Sequence, residues 1–488
     1  MTLSLIGIFV SLAFLILMAY RGHSVIAIAP LASLIALIFA GAPLLAGYTQ
    51  VFMPALAGFI GSFFPLFLTG AIFGRLMSVS GYAEGFARWI SRWLGAKRGI
   101  LVTILASALL TYGGVSAWVV VFSVFPIATS LFRQADIPRR LMPAAIAAGF
   151  LTFALGALPG SPQVHNTIPT RFFGTTTFAA PIIGIITAIV VFSLSLAYLT
   201  WRERKLKAAG ESFSDMTEME RRGEHAPVPH DVEDELSEEE GVRRGEIPHF
   251  TVPETHLGGL LSILPIAIVV GANALFTYVV IPAMDTDYLA QELYGNVTVS
   301  QVAGIWAVTS AMVVAILFIL AMRPKAFVTY FQQLSEGAKN AVLPIFTTAS
   351  EVGYGAIIAS LAAFAVIRDN LFGITENAAA TAAISTAVIS GVTGSASGGM
   401  TIALNAFGED LAALANQQGI DLEVVHRITS MASTSFDSLP HNGAVITLLL
   451  VTGLTHRESY KDIAAITVVI PIAGVLTIAT LGLTFGAF

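Results

Sequence analysis

LPGSPQVHN, residues 158–166, lies inside a long apolar stretch and breaks it. Two prolines, a glycine, a serine, a glutamine, a histidine and an asparagine stand where a membrane span would carry leucine and valine. In hydrocarbon every unpaired backbone group is costly, so an interrupted helix persists at membrane depth only where protein buries it or where it lines a cavity. A shorter echo, LPHN, stands at 439–442. The two breaks are expected to face each other across one small-molecule site.

The surrounding composition is that of a membrane protein. The chain has 488 residues, 55% of them hydrophobic and only 11% charged, against about 25% charged in a soluble domain. Apolar runs of about 20 residues recur along it, the pattern of a polytopic all-α membrane protein. The run at 2–19 has no basic residue ahead of it and no small-residue cleavage site, so it reads as a first span rather than a leader. Cysteine is absent, which excludes disulfides, thiol redox chemistry and thiolate metal sites. Much of the acid behind the net charge of −6 is gathered in one linker. Nothing in the charge distribution points to nucleic acid, and no metal or cofactor is expected.

The two breaks belong to an internal repeat. Gly58 pairs with Gly337, Pro65 with Pro344, Phe67 with Phe346, Gly74 with Gly353 and Ser116 with Ser395, always 279 residues apart. PLFLTGAIFG (65–74) therefore aligns with PIFTTASEVG (344–353), and Pro159 meets Pro440 at a separation of 281. Duplicated halves with interrupted helices in corresponding places are the best sequence pointer to a transporter's binding site.

Each half reads as five spans plus a hairpin. In the N-terminal repeat (1–201) spans fall at 2–19, 24–40 and 51–80. Segment 81–98 carries arginines and a lysine beside Trp89 and Trp93, as an interfacial amphipathic helix would. A hairpin follows, with an apolar arm at 99–110, the tip TYGGVS (111–116) and a second arm to 132. An arm of about 13 residues reaches only about 20 Å against a hydrocarbon core of about 30 Å, so the hairpin reads as re-entrant. The broken span 141–175 and a last span at 178–201 complete the half. The C-terminal repeat (257–488) has spans at 257–281, 301–321 and 339–359, and a weaker interfacial stretch at 360–377. Its hairpin lies at 378–407 with tip SGVTGSASGG (390–399), its broken span at 424–454 and its last span at 461–486. Residues 1–98 and 257–377 would form the scaffold, with the hairpin, broken helix and last span of each half (99–201 and 378–488) set apart from it. The linker at 202–256, with RERKLK and EDELSEEE and little apolar periodicity, reads as solvated.

Five crossings per half make the second half inverted relative to the first. With that topology all but Arg171, Arg368 and Arg427 of the 25 basic residues fall on one side. The basic side is the cytoplasm. Both termini are then outside the cell membrane and the linker is inside.

The tips and breaks supply the chemistry. Gly113 and Gly114, and Gly394, Gly398 and Gly399, permit close backbone approach, and the N-termini of the half-helices attract an anion. Ser116, Ser161, Gln163, Thr393, Ser395 and Ser397 can donate to carboxylate or hydroxyl oxygens, and Asn166 and Asn442 both donate and accept. The plainer reading of the small residues is tight helix packing. His165 and His441 can carry a proton through a cycle, or can simply hydrogen-bond the broken backbone. Glu351, inside an apolar span, and Asp437, just before the second break, are intramembrane acids and so functional candidates; a neighbouring hydroxyl capping Glu351 is the alternative. Arg171 either pairs a substrate carboxylate or marks the outer interface.

Three segments, TYGGVSAWVVVFSVFPIA (111–128), LPGSPQVHNTIPT (158–170) and SGVTGSASGGMTIAL (390–404), resemble those of the gluconate permease family, within the ion transporter superfamily of secondary carriers. The resemblance spans both halves and leaves out the linker. It implies proton-coupled uptake of sugar acids or small hydroxycarboxylates by a homodimer whose transport domains move as elevators against fixed scaffolds. It places the binding groups at 113–116, 161–166, 393–399 and 441–442. Sodium coupling, with Ser116 and Ser395 and unwound carbonyls as ligands, is the nearest alternative. An intramembrane hydrolase built on Ser397 and His441 would need no matched tips and breaks, and the chain has neither G-x-S-x-G nor H-E-x-x-H.

Overall fold

The structure is a computed structural model that describes residues 2–21, 23–115, 117–217, 220–221, 250, 252–253, 255–322, 326–440 and 442–488. Ser116, His441 and the acidic run at 233–240 lie outside the described residues. Among the described residues every regular element is a helix. That follows from the composition: a chain this apolar must satisfy its backbone within each segment when water is excluded.

The first half contains α1 (Thr2–Tyr20), α2 (Val25–Ala40), the long α3 (Leu44–Val79), the short α4 (Tyr82–Leu94), the hairpin of α5 (Gly99–Tyr112) and α6 (Ala117–Gln134), the interrupted pair α7 (Met142–Phe150) and α8 (Val164–Phe173), and α9 (Pro181–Ala208). The second half lists the same kinds of element in the same order. They are α10 (His256–Ala283), α11 (Val299–Met322), the long α12 (Phe327–Ser360), the short α13 (Ala362–Ile374), the hairpin of α14 (Ala378–Thr393) and α15 (Ala396–Gln418), the interrupted pair α16 (Leu422–Ser433) and α17 (Gly443–Thr452), and α18 (His456–Phe485). Among the described residues six helices, α3, α9, α10, α11, α12 and α18, are long and apolar enough to cross a bilayer. The protein is a multi-pass membrane protein of all-helical fold.

Several boundaries differ from the sequence expectation. The second hairpin arm, α15, runs to Gln418 rather than 407, because GEDLAALANQQ (408–418) is rich in good helix formers and ends at Gly419 in the left-handed conformation. Helix α9 continues to Ala208, past the expected boundary at 201. Helix α4 is amphipathic as expected, but its apolar side, with Phe86, Ala87 and Ile90, is buried against protein, while Trp93 faces outward.

The main core runs through the hairpins, the interrupted helices and the long helices that flank them. A smaller core joins α1, α2 and the C-terminal part of α12, where the Ser11 and Tyr354 hydroxyls meet at 2.9 Å. Close backbone approach sets the geometry of the main core. A Cβ at Gly149 on α7 would overlap the Ser107 side chain and the backbone at Ile104 and Ala108 on α5.

The described ends of the linker are docked on the helices. Phe213 is buried beneath Arg133 and Arg139, whose guanidinium carbons sit 5.4 and 5.2 Å from its ring centroid. Arg139 Nε donates to the Phe213 carbonyl at 2.8 Å and Asp136 accepts from its N–H at 3.0 Å. The Glu220 carboxylate accepts from the Thr217 N–H and from Arg139, which hold it below the ordinary carboxylate range. At the other end, the Phe250 N–H donates to Val79 O at 2.9 Å, and Thr255 caps α10.

Substituting Gly149→Val is expected to destabilise the protein by about 1–3 kcal/mol through overpacking of α5 against α7. A thermal melt in detergent checks this, with Gly58→Ala as control, since nothing lies within 4 Å of a Cβ at Gly58.

Candidate functional site

The first interrupted span stops at Phe150, makes a four-residue turn at Phe153–Gly156 and restarts at Val164, and Pro159 and Pro162, which cannot donate to a helix, keep the stretch between from continuing it. The carbonyls released by the break are then taken up one by one. Gly156 O accepts from Arg427 Nη1 at 3.4 Å, Pro159 O from the Tyr112 hydroxyl at 2.8 Å, and Gly160 O from Asn273 Nδ2 at 3.0 Å. Asn166 Nδ2 donates to Ser161 O at 2.9 Å and to Thr177 O at 2.7 Å. These five carbonyls of the break and its return are thus met by side-chain donors, as buried polar groups require.

The first hairpin tip is fastened to this break. Gln163 Nε2 donates to Thr111 O at 2.7 Å and to Val115 O at 3.3 Å. Gly113 packs against Ile266 of α10, and Gly114, with φ of 86°, packs against Met312 of α11 and Pro162. Ser161 is fully buried, and its hydroxyl accepts from the Gln163 N–H at 3.4 Å.

The second break is organised in the same manner by different residues. Asn442 caps α17, its Oδ1 accepting from the Val445 N–H at 3.0 Å. Its Nδ2 donates to Gly394 O of the second tip and to Asp437 Oδ1, both at 2.9 Å. Pro440 O accepts from His456 Nε2 at 2.9 Å, and Ser438 O from the Tyr460 hydroxyl at 3.1 Å. At the second tip, Ser395 caps α15 by accepting from the Gly398 N–H at 3.1 Å, and the Thr393 hydroxyl donates to Ile389 O. Ser397 is half-buried on the first turn of α15.

Helix α12 delivers Glu351 to this second tip. Its carboxyl is 3% exposed, lies beside the Ser395 hydroxyl, and packs so close to Gly398 that a Cβ there would overlap Oε2. Oε2 itself is enclosed with no hydrogen-bond partner. Asp437 is 7% exposed and completes a pair of buried acids at the second tip and break. Near the first break the buried charge is positive. Arg427 on α16 is wholly enclosed, and its neighbour His426 meets the Thr175 hydroxyl at 2.7 Å and Asn166 Oδ1 at 3.4 Å through its two ring nitrogens.

The structure therefore fastens each tip to its own break, and sets Glu351, Ser395, Gly398 and Asp437 together at the second. Asn166, Asn442 and the Gln163 amide nitrogen, expected as substrate contacts, are engaged with protein here. His165 is half-buried on the first turn of α8 with Nδ1 enclosed and unpartnered. Arg171 is exposed and donates to Ser62 Oγ at 2.8 Å. Arg427, counted from the sequence among the few basic residues on the outer side, is not at a surface at all. Sequence reasoning missed Arg427, His426, Asn273 and Tyr112. The available signal was the lone asparagine in the apolar span 257–281 and the HR pair enclosed by valines and isoleucine at 424–428.

Two hairpins and two interrupted helices among helices of membrane length make the chain a polytopic membrane protein, and its relative places it among transporters. The chain belongs to the family of the uncharacterised transporter YxjC of Bacillus subtilis (strain 168), with 39% identity over 489 residues and 99% of each chain covered. It also resembles the crystal structure of the YdaH transporter of Alcanivorax borkumensis, at 16% identity and a TM-score of 0.50 over 88% of both chains, a likeness of fold alone. No protein-family model matches the chain.

Removing the fastening side chains should loosen the tips. Gln163→Ala is expected to raise amide hydrogen exchange at 111–115, and Asn442→Ala at 393–396, each for a loss of about 1–3 kcal/mol as buried acceptors are uncovered. Exchange followed by mass spectrometry checks both, and each change should be confined to its own tip.

Proposed function

We propose that this protein is a proton-coupled secondary transporter of small organic anions, gluconate-like sugar acids or short hydroxycarboxylates. The observation that carries the reading is Glu351: a buried acid with a vacant oxygen, pressed against Gly398 at a hairpin tip and beside Ser395 and Asp437. A carboxyl enclosed at membrane depth is retained for function, and proton relay is the function it suits. The substrate anion binds between tips and breaks, facing the N-termini of α8, α15 and α17. The candidate contacts are Ser161, Gln163, Asn166, Thr393, Ser395, Ser397, Asn442 and the glycines at 113, 114 and 398, with Ser116 and His441, outside the described residues, kept as candidates from the sequence. A proton on Glu351 offsets the substrate's charge, with Asp437, His165 and His441 as the other titratable candidates.

The same proposal includes the architecture. The two lists of elements, α1–α9 and α10–α18, are inverted repeats. Their hairpins and interrupted helices form a domain that crosses the bilayer as an elevator against the scaffold helices, in a homodimer. The matching order of elements and the resemblance of 111–128, 158–170 and 390–404 to the gluconate permeases support this. The distribution of basic residues supports a plasma-membrane orientation with both termini outside and the 202–256 linker in the cytoplasm.

Purified protein in liposomes decides the matter. Under an imposed pH gradient, acidic outside, one acid among gluconate, 3-hydroxybutyrate, lactate, succinate and citrate should accumulate and alkalinise the medium. Glu351→Gln should lower gradient-driven accumulation by about tenfold or more while leaving substrate exchange in place. Uptake that requires sodium at fixed pH would transfer the coupling to sodium. Uptake of none of these acids with either ion would reject the organic-anion reading.

A further inference from the structure

Arg427 is a cation at 0% exposure whose hydrogen bonds include no carboxylate. Its Nε donates to Ala179 O at 3.1 Å, Nη1 to Asn166 Oδ1 at 2.7 Å and to Gly156 O at 3.4 Å, and Nη2 to Ala179 O and Thr177 O. All five N–H groups are thereby placed, each on an oxygen of the first half, although Arg427 itself belongs to α16 of the second. Nothing remains with which to bind substrate. A guanidinium is suited to such a task because its donors form a rigid planar fork.

The oxygen that Arg427 grips most closely on a side chain is that of Asn166. With Oδ1 so held, the Asn166 amide can present both of its N–H groups to Ser161 O and Thr177 O. Ser161 starts the short segment that ends at Gln163, and Gln163 holds the first tip through Thr111 O and Val115 O. An unbroken series of hydrogen bonds thus runs from Arg427 through Asn166 and the stretch 161–163 to the tip at 111–115. The Ser430 hydroxyl, on the same helix as Arg427, adds a bond to His165 O at 2.9 Å.

We infer that Arg427 is a positioning residue for the substrate site: acting through Asn166, it sets the conformation of 161–163 and of the first hairpin tip without touching the substrate. The inference rests on the transport reading for its effect on substrate, but not for its effect on the break itself. It assigns to the second half the task of shaping the binding segment of the first.

Because the protein contains no cysteine, one introduced thiol reports the break without background. Val164→Cys places it half-buried at the start of α8. In that background, Arg427→Lys keeps the charge and loses the fork. It is expected to speed alkylation of the thiol severalfold by a small methanethiosulfonate reagent. Transport by Arg427→Lys without the cysteine should show a half-saturating concentration raised severalfold with maximal rate changed little. A residue that only held the fold together would lower the yield of folded protein and leave both readouts of the folded fraction unchanged, and that result overturns the inference. If Arg427→Lys does not fold, Asn166→Asp asks the same question. It retains an acceptor for Arg427 and removes both donations to the backbone, so unchanged alkylation there also overturns the inference. If the unsubstituted protein takes up none of the tested acids, the transport reading fails and the alkylation rates alone decide the role of Arg427.

Discussion

Lipid offers no hydrogen bonds, and this constraint shapes the molecule more than any other. Once Pro159, Pro162 and Pro440 interrupt two spans, each released carbonyl has to be met by a donor from elsewhere in the protein. The donors are Tyr112, Asn273, Asn166 and Arg427 at the first break, and Tyr460 and His456 at the second. They come from the first hairpin, from the interrupted helices α8 and α16, and from α10 and α18. The polar side chains that make the sequence look like a binding site are, in large part, what makes an interrupted helix tolerable in a bilayer. The groups left over include the Glu351 carboxyl oxygen and His165 Nδ1, together with hydroxyls of the hairpins at Ser107, Thr111, Thr386 and Ser390.

The buried charges at the two breaks differ in sign, and all three groups that carry them come from the second half. Glu351 aligns with Ile72, and Asp437 with Gly156, so the acids have no counterparts in the first half. The buried cation, Arg427, sits at the first break and finds its partners among carbonyl dipoles. Three side chains of the second half thus set the two breaks apart in charge, although the helices follow the same order in both halves.

The fold was legible because its main signals are physical and long-range in the sequence: apolar runs of membrane length, proline interruptions, and a constant offset of 279 between like motifs. The element order followed from these. Boundaries at 208 and 418 did not, since charged and amphipathic helices that continue past an apolar run leave no hydropathy signal. The pairing of each tip with its own break was legible only as proximity of motifs. Which side chain performs the fastening was not. Asn166 and Asn442 look equivalent in the two HN pairs, yet Asn166 locks its own break while Asn442 reaches across to a tip, a task that Gln163 performs in the first half. Arg427 was the largest miss. A basic residue in a membrane chain is ordinarily read as an interfacial marker, and only the tertiary structure reveals the four oxygens arranged around it.

The dependence of the first break on Asn273 and Arg427 has a consequence for how the chain is made. Proteins are synthesised from the N-terminus at about 5–20 residues per second, so Asn166 leaves the ribosome on the order of tens of seconds before the arginine that completes its bonding. Through that interval the first interrupted helix is inserted without its partners, its carbonyls dependent on water or on the insertion machinery. The first half is therefore a waiting structure, and its final shape is imposed late, when α16 arrives. A truncated chain that ended at the linker would contain every residue of the first break and still lack the means to close it.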